Sequence, residues 1–198
     1  MDILTGLLGF VLVSTITPGP NNLLLAASGI QFGVRRTIPH VIGIHCGVYI
    51  LVLLCGLGLG QILLAAPAAI VALKLFGSGY LLYLAWKILG FTPAQPNEQN
   101  GAQPMRILEG IIFQFSNPKA WMMAATGINI SLGFDKGMVA AVLSLCLGFA
   151  TLGLLCNFAW VWFGASLSGL LGKPIYRYAV NGGLACITLL TVALIWVA

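Results

Sequence analysis

The sequence predicts an all-α polytopic membrane protein, with six transmembrane helices arranged as a 3+3 inverted repeat and the first and fourth helices broken. Three observations predict this. The 198 residues are 60% hydrophobic and only 7% charged, with a mean hydropathy of +1.03, and a soluble domain of this size needs more polar surface to cover itself. Six apolar runs are each about 20 residues or longer, the length that crosses a hydrocarbon core. A stretch of the first run recurs, altered, in the fourth.

The runs fall at about 4–30, 39–63, 67–89, 108–131, 138–165 and 178–197. The first lies within Ile3 to Val34, which contains no charged side chain. It opens after Asp2 where a signal peptide would carry a basic region, so the span is expected to be retained. Between the third and fourth runs, FTPAQPNEQNGAQP (91–104) can neither pack nor span. The chain therefore divides into a first three-helix repeat at 1–90, a cytoplasmic linker at 91–107 and a second three-helix repeat at 108–198, all within one membrane domain. With both termini outside, Arg35, Arg36, Lys87, Arg106, Lys173 and Arg177 fall on cytoplasmic connections, and of the residues in connections only Lys136 falls outside. Lys74 lies near the outer end of the third span, where its long stem can reach the interface.

Residues 20–30, PNNLLLAASGI, align with residues 118–128, PKAWMMAATGI, at an offset of 98. The proline, both alanines, the glycine and the isoleucine recur, and Ser28 meets Thr126. Cys46 and Cys55 of the second span are echoed by Cys146 and Cys156 of the fifth with one residue of slip, and the third and sixth spans share only glycines. Each half holds an odd number of spans, so the second half enters the membrane from the opposite side, which makes an inverted repeat.

Pro18 and Pro20 remove two backbone donors and Gly19 tolerates almost any dihedral, so the first helix is expected to break at depth. Pro118 acts likewise in the fourth. Backbone groups freed there cost several kcal/mol each unless a partner is found, roughly speaking. One reading is structural, with the kinks repaired by Thr17, Asn21 and Asn117. The other is a ligand site at the repeat interface, because matched breaks dressed with polar residues mark such sites. Lys119 favours the second. It lies about eleven residues into its span, some 16 Å along a helix, and far from Asp2, Glu98, Glu109 and Asp135, which sit at ends or loops. An ammonium there without a carboxylate partner suits an anionic ligand group, as do the helix N-termini after Pro20 and Pro118. An amino-acid carboxylate fits. Asn117 and Lys119 would point about 200° apart on a continuous helix, so both serve one site only if the helix yields at Pro118. Asn21, Asn22 and Asn117 would orient backbone and ligand. A lysine bonded simply to freed carbonyls is the competing account.

His45 could relay protons, since imidazole titrates near neutrality, or could tie two helices together. Gln114 stands one turn before Pro118 and could contact the site or a neighbouring helix. Trp121 lies too deep for an aromatic belt, whereas Trp86 and Trp196 suit one. The GLGLG and GSG stretches at 56–60 and 77–79 permit close helix contact. The net charge of +5 is spread over the ends of apolar runs and forms no nucleic-acid patch. Five cysteines in apolar runs, with no CxxC, predict neither a disulfide framework nor a metal site. His40 and His45 without a carboxylate at depth do not make a hydrolase, so no enzyme, metal or cofactor is expected.

TPGPN (17–21) in the first span and FSNPK (115–119) in the fourth, in a chain of about 200 residues and six spans, make the sequence resemble the LysE/RhtB family of amino-acid exporters along its whole length. The resemblance implies a secondary transporter in the bacterial inner membrane, exporting a small amino acid or derivative by alternating access, with a proton or counter-substrate as the coupling partner. The pattern is nearest the branch for cysteine, O-acetylserine, threonine and homoserine. On the matching positions Thr17, Pro18, Gly19, Pro20, Asn21, Asn117, Pro118 and Lys119 inherit the site, and Asn22, Gln114 and Asn157 are placed beside it. Asn157, in LLCNFAW, stands where many relatives carry an aspartate, which puts proton coupling in doubt. A homodimer through the glycine-rich faces stays open. The alternative function is a membrane thiol/disulfide electron carrier, which needs two cysteines within bonding distance and exposed to a partner.

Overall fold

The computed structural model describes residues 3–89, 103–133, 137–171 and 174–197, and among these every regular element is helical. Most of the expected linker, residues 90–102, and Lys136 and Lys173 lie outside the described residues. In order come α1 (Ile3–Ile16), α2 (Pro20–Gly56), α3 (Leu59–Leu64), α4 (Pro67–Leu89), α5 (Ile107–Phe115), α6 (Pro118–Leu132), α7 (Gly137–Gly148), a π-helical turn (Phe149–Gly153), α8 (Leu154–Leu167), a 3-10 turn (Ser168–Leu170) and α9 (Pro174–Val197).

Both expected breaks are present, and they are built alike. Gly19 is fully extended (φ −169°, ψ 177°) and Pro20 opens α2; Asn117 is extended (φ −96°, ψ 103°) and Pro118 opens α6. Proline is suited to the first helical position because the amide it lacks would have had no partner there. The turn expected at 31–38 is different. The chain stays helical through Arg35 and Arg36 and only bends at Gly33 (φ 72°, ψ 175°), a left-handed conformation that glycine adopts without strain. Thr37 Oγ1 donates to the Gly33 carbonyl at 2.8 Å and lies 3.0 Å from Ser28 Oγ, which ties the two arms together.

Three stretches are long and apolar enough to cross a membrane, Pro20–Gly56, Gly137–Leu167 and Tyr178–Val197, with shorter apolar helices at Leu4–Ile16 and Pro67–Tyr83. Large apolar side chains face outward along most helices, among them Leu57, Phe76, Val139 and Val197, as a lipid-facing surface would. The main core joins α1, α2, α6, α7 and α8 through Leu7, Val11, Leu25, Ile44, Leu51, Ala124, Leu145, Phe149 and Val161. A smaller cluster of Leu23, Leu24, Leu81, Leu171 and Leu184 joins α2 to α4 and α9.

The long helix α2 packs most extensively against α8 and then α5. Glycine permits that approach: a Cβ on Gly164 would collide with the Ala26 carbonyl, and one on Gly29 with the Val161 carbonyl. Small residues at such contacts let backbones come together where lipid supplies no hydrophobic drive between helices. In the GLGLG and GSG stretches, Gly56, Gly60 and Gly77 lie against Val142, Cys55 and Pro118, while a Cβ on Gly79 would meet nothing within 4 Å. Gly164→Ala is expected to lower stability by about 1–3 kcal/mol through overpacking. Gly79→Ala should leave it unchanged or raise it by up to about 1 kcal/mol. Thermal unfolding of the two purified variants in detergent, beside the native protein, checks the contrast.

Candidate functional site

The break after α1 frees a run of carbonyls that no helix ladder reaches, and each one finds a donor. Val13 takes the Thr17 amide at 3.1 Å, and Ser14 takes the Thr17 hydroxyl at 3.3 Å. Asn22 Nδ2 donates to the Thr15 and Thr17 carbonyls, both at 2.8 Å. Trp160 Nε1, from α8, reaches the Ile16 carbonyl at 3.2 Å. Lys119 Nζ, from the first turn of α6, reaches the Thr17 carbonyl at 2.7 Å, the Thr17 hydroxyl at 3.0 Å and the Pro18 carbonyl at 3.4 Å. Beyond the break, the Leu23 amide donates to Gly19 at 3.1 Å.

A cation at the C-terminal end of α1 also suits the helix dipole. Gly19 makes room for it, since a Cβ there would lie 2.9 Å from Lys119 Cδ and 3.0 Å from Nζ.

The second break is closed in the same manner. Asn117 Oδ1 accepts from the Lys119 amide at 3.1 Å, and Trp121 Nε1 donates to the Phe115 carbonyl at 3.0 Å. Gln114 is fully buried and exchanges two amide bonds with Asn21, at 2.9 and 3.1 Å, which staples one broken helix to the other. Because α6 starts afresh at Pro118, Asn117 and Lys119 share one cavity despite their spacing.

Two cavities meet at Lys119. The inner one is lined by Thr15, Asn21, Asn22, Asn117, Lys119 and Asn157, and holds about 30 Å³, room for a water and not for an amino acid. The outer one holds about 660 Å³ and is mostly apolar, with Thr17, Pro18, Pro20, Pro118 and Trp121 on its wall beside Lys119 and Lys74. Lys74 is thus turned to this cavity, half-buried.

The structure brings Thr17, Pro18, Gly19, Pro20, Asn21, Asn22, Asn117, Pro118, Lys119 and Asn157 around these two cavities, with Gln114 one bond behind. His45 lines neither: its Nε2 lies 3.1 Å from Asn157 Nδ2, and its Nδ1 lies 3.5 Å from the Tyr49 hydroxyl. Trp160 and Lys74 are the residues that reading the sequence did not place here. Trp160 was within reach, one helical turn beyond Asn157 on the same face. The five cysteines are free thiols, of which Cys186 is exposed, and the described residues hold no cluster of three His, Cys, Asp or Glu that could bind a metal ion.

With this geometry in view, the LysE type translocator model matches residues 12–198. The chain is similar to the cysteine/O-acetylserine efflux proteins of Escherichia coli (strain K12) and Shigella sonnei (strain Ss046), each 27% identical over 170 residues, covering 85% of this chain and 83% of the relative. A relative of the same description and the same coverage occurs in Shigella flexneri. No solved structure matches the chain.

Asn22→Leu is expected to lower stability by about 1–3 kcal/mol, because the Thr15 carbonyl loses its amide donor in a buried position. The unfolding temperature of the purified variant, followed by tryptophan fluorescence, checks this.

Proposed function

The chain belongs to the LysE type translocator family, and from that premise we propose that it exports a small amino acid or a close derivative across the bacterial inner membrane by alternating access. The observation that carries the reading is the position of Lys119. Its ammonium bridges the two helix breaks, bonded only to neutral oxygens, and opens on a cavity large enough for a small ligand. The names of the efflux relatives put cysteine and O-acetylserine first among substrates to try.

In this reading α1 with the first arm of α2 forms one broken span, and α5 with α6 forms another. Six spans then result, as two inverted three-helix repeats at 1–90 and 108–198 joined by a cytoplasmic linker at 91–107, with both termini periplasmic. The shared construction of the two breaks and their offset of 98 residues support it.

The chemistry follows from the donors. An ammonium has three hydrogens to give, and the longest of its three bonds, to the Pro18 carbonyl at 3.4 Å, is the one most easily exchanged. A substrate carboxylate arriving from the outer cavity takes that position as a charge-assisted partner, stronger than the neutral carbonyl it replaces. The amides of Asn21, Asn22 and Asn117 become available to the substrate only as the inner cavity widens. Binding and the opening of the breaks are thereby the same event. Asn157, neutral in place of an acid, ties His45 to the inner cavity, and His45 serves as the relay if a proton is the coupling ion.

Efflux of preloaded, labelled amino acids from proteoliposomes tests the reading. Substrate-selective efflux is expected from the native protein, reduced about ten- to a hundredfold in Lys119→Met, the worth of a hydrogen bond to a charged group. Equal efflux from a folded Lys119→Met would make the lysine a structural cap, and no efflux of any amino acid from the native protein would remove the export reading.

A further inference from the structure

A third cavity lies at the opposite end of α5 from Lys119, near the end of the molecule that carries the exposed Arg35, Arg36 and Arg106. It holds about 260 Å³ and is lined by residues of α2, α4 and α9, with the chain entering α5 and Glu109 of that helix. His40 is on its wall, only 1% exposed, and neither of its ring nitrogens has a hydrogen-bond partner. Buried polar groups are almost always paired, so two unspent positions on one imidazole, facing a cavity, point to a ligand that spends them.

The rest of the wall says which kind. Among the described lining residues Glu109 is the one carboxylate, and none is a lysine or arginine. One oxygen of Glu109 accepts from the Arg106 amide at 2.8 Å, and the side chain as a whole is exposed. Tyr80 and Tyr83 stand beside each other on the wall, ring centroids 6.3 Å apart, and Phe32 adds a third ring. A carboxylate with aromatic faces nearby favours a cation, and an imidazole offers one donor and one acceptor to a neighbouring polar group.

We infer that this cavity is a second binding site, which takes a small primary amine bearing another polar group, with the ammonium on Glu109 and the polar group on His40. An amino acid has that composition, and the site then serves as the loading position from which substrate passes to Lys119. Glu109 and Lys119 are ten residues apart along α5 and α6, roughly 15 Å at the helical rise, so one small molecule does not span both. The direction of transfer rests on the export reading, whereas binding at this site does not.

The test is equilibrium binding of labelled L-cysteine, kept reduced, to the purified full-length protein in detergent, with efflux measured in parallel on proteoliposomes. The native protein is expected to bind two equivalents and Lys119→Met one. Adding Glu109→Gln to Lys119→Met should weaken the remaining binding about tenfold or more, as expected for loss of a charged partner, with the cap on the Arg106 amide preserved by the glutamine oxygen. His40→Asn should weaken it as well. N-acetyl-L-cysteine, which lacks the ammonium, should not compete. The inference is overturned if Lys119→Met binds nothing, if Glu109→Gln and His40→Asn both leave the residual binding unchanged, or if the native protein binds no amino acid. The pattern above without efflux would overturn the export reading and leave this site standing.

Discussion

The structure depends on one requirement: carbonyls freed at depth must each meet a donor where no bulk water can serve. Leaving one unpaired costs several kcal/mol, in rough terms, so the breaks can exist only if other elements arrive to close them. At the first break the donors come from three places, Asn22 of α2, Lys119 of α6 and Trp160 of α8. The break is therefore a knot as well as a defect. It fixes α6 and α8 against the end of α1, and it concentrates polar atoms where the ligand cavities lie.

The close approach of backbones meets a second need. In a bilayer, lipid chains are as apolar as leucine, and helices associate through packing and hydrogen bonds in place of a hydrophobic drive. The glycines at 29 and 164 bring α2 and α8 into backbone contact, and Gly47 leaves space for Gln114 of α5. With α2 held on both flanks, Asn21 meets Gln114 and Asn22 meets the carbonyls of the break. Packing along the helix thus positions polar contacts at its tip.

What the sequence made legible was the cost. Proline, glycine and lysine at depth are expensive whatever surrounds them, and so the two breaks and the importance of Lys119 followed from composition and spacing. What it hid was how the costs are met. The Trp160 indole reaches the Ile16 carbonyl from a residue 144 positions away, and only tertiary packing decides such a pairing. The bend at Gly33 was hidden for another reason. Two arginines after a glycine read as a turn, yet one residue at positive φ is enough to redirect a helix whose neighbours keep helical dihedrals. His40 was weighed only as half of a hydrolase site, because nothing in a sequence shows that a histidine has been left without partners.

These contacts bear on how a ligand could move such a molecule. A ligand shifts a conformational equilibrium only by binding the two states unequally. In the conformation described here the Lys119 ammonium belongs to the α1 break, bonded to Thr17 and Pro18. A carboxylate that engages the same ammonium competes with those carbonyls and weakens the clasp between α1 and α6, so on the export reading the substrate favours whichever state has the breaks apart. The freed carbonyls then need other donors, and a substrate ammonium is one. An amino acid carries both charges at the right separation to replace each half of the clasp, whereas an amine or a carboxylic acid alone would replace only one half and leave the other unpaired. Selection for the zwitterion would then arise from the same backbone groups that hold the empty protein shut.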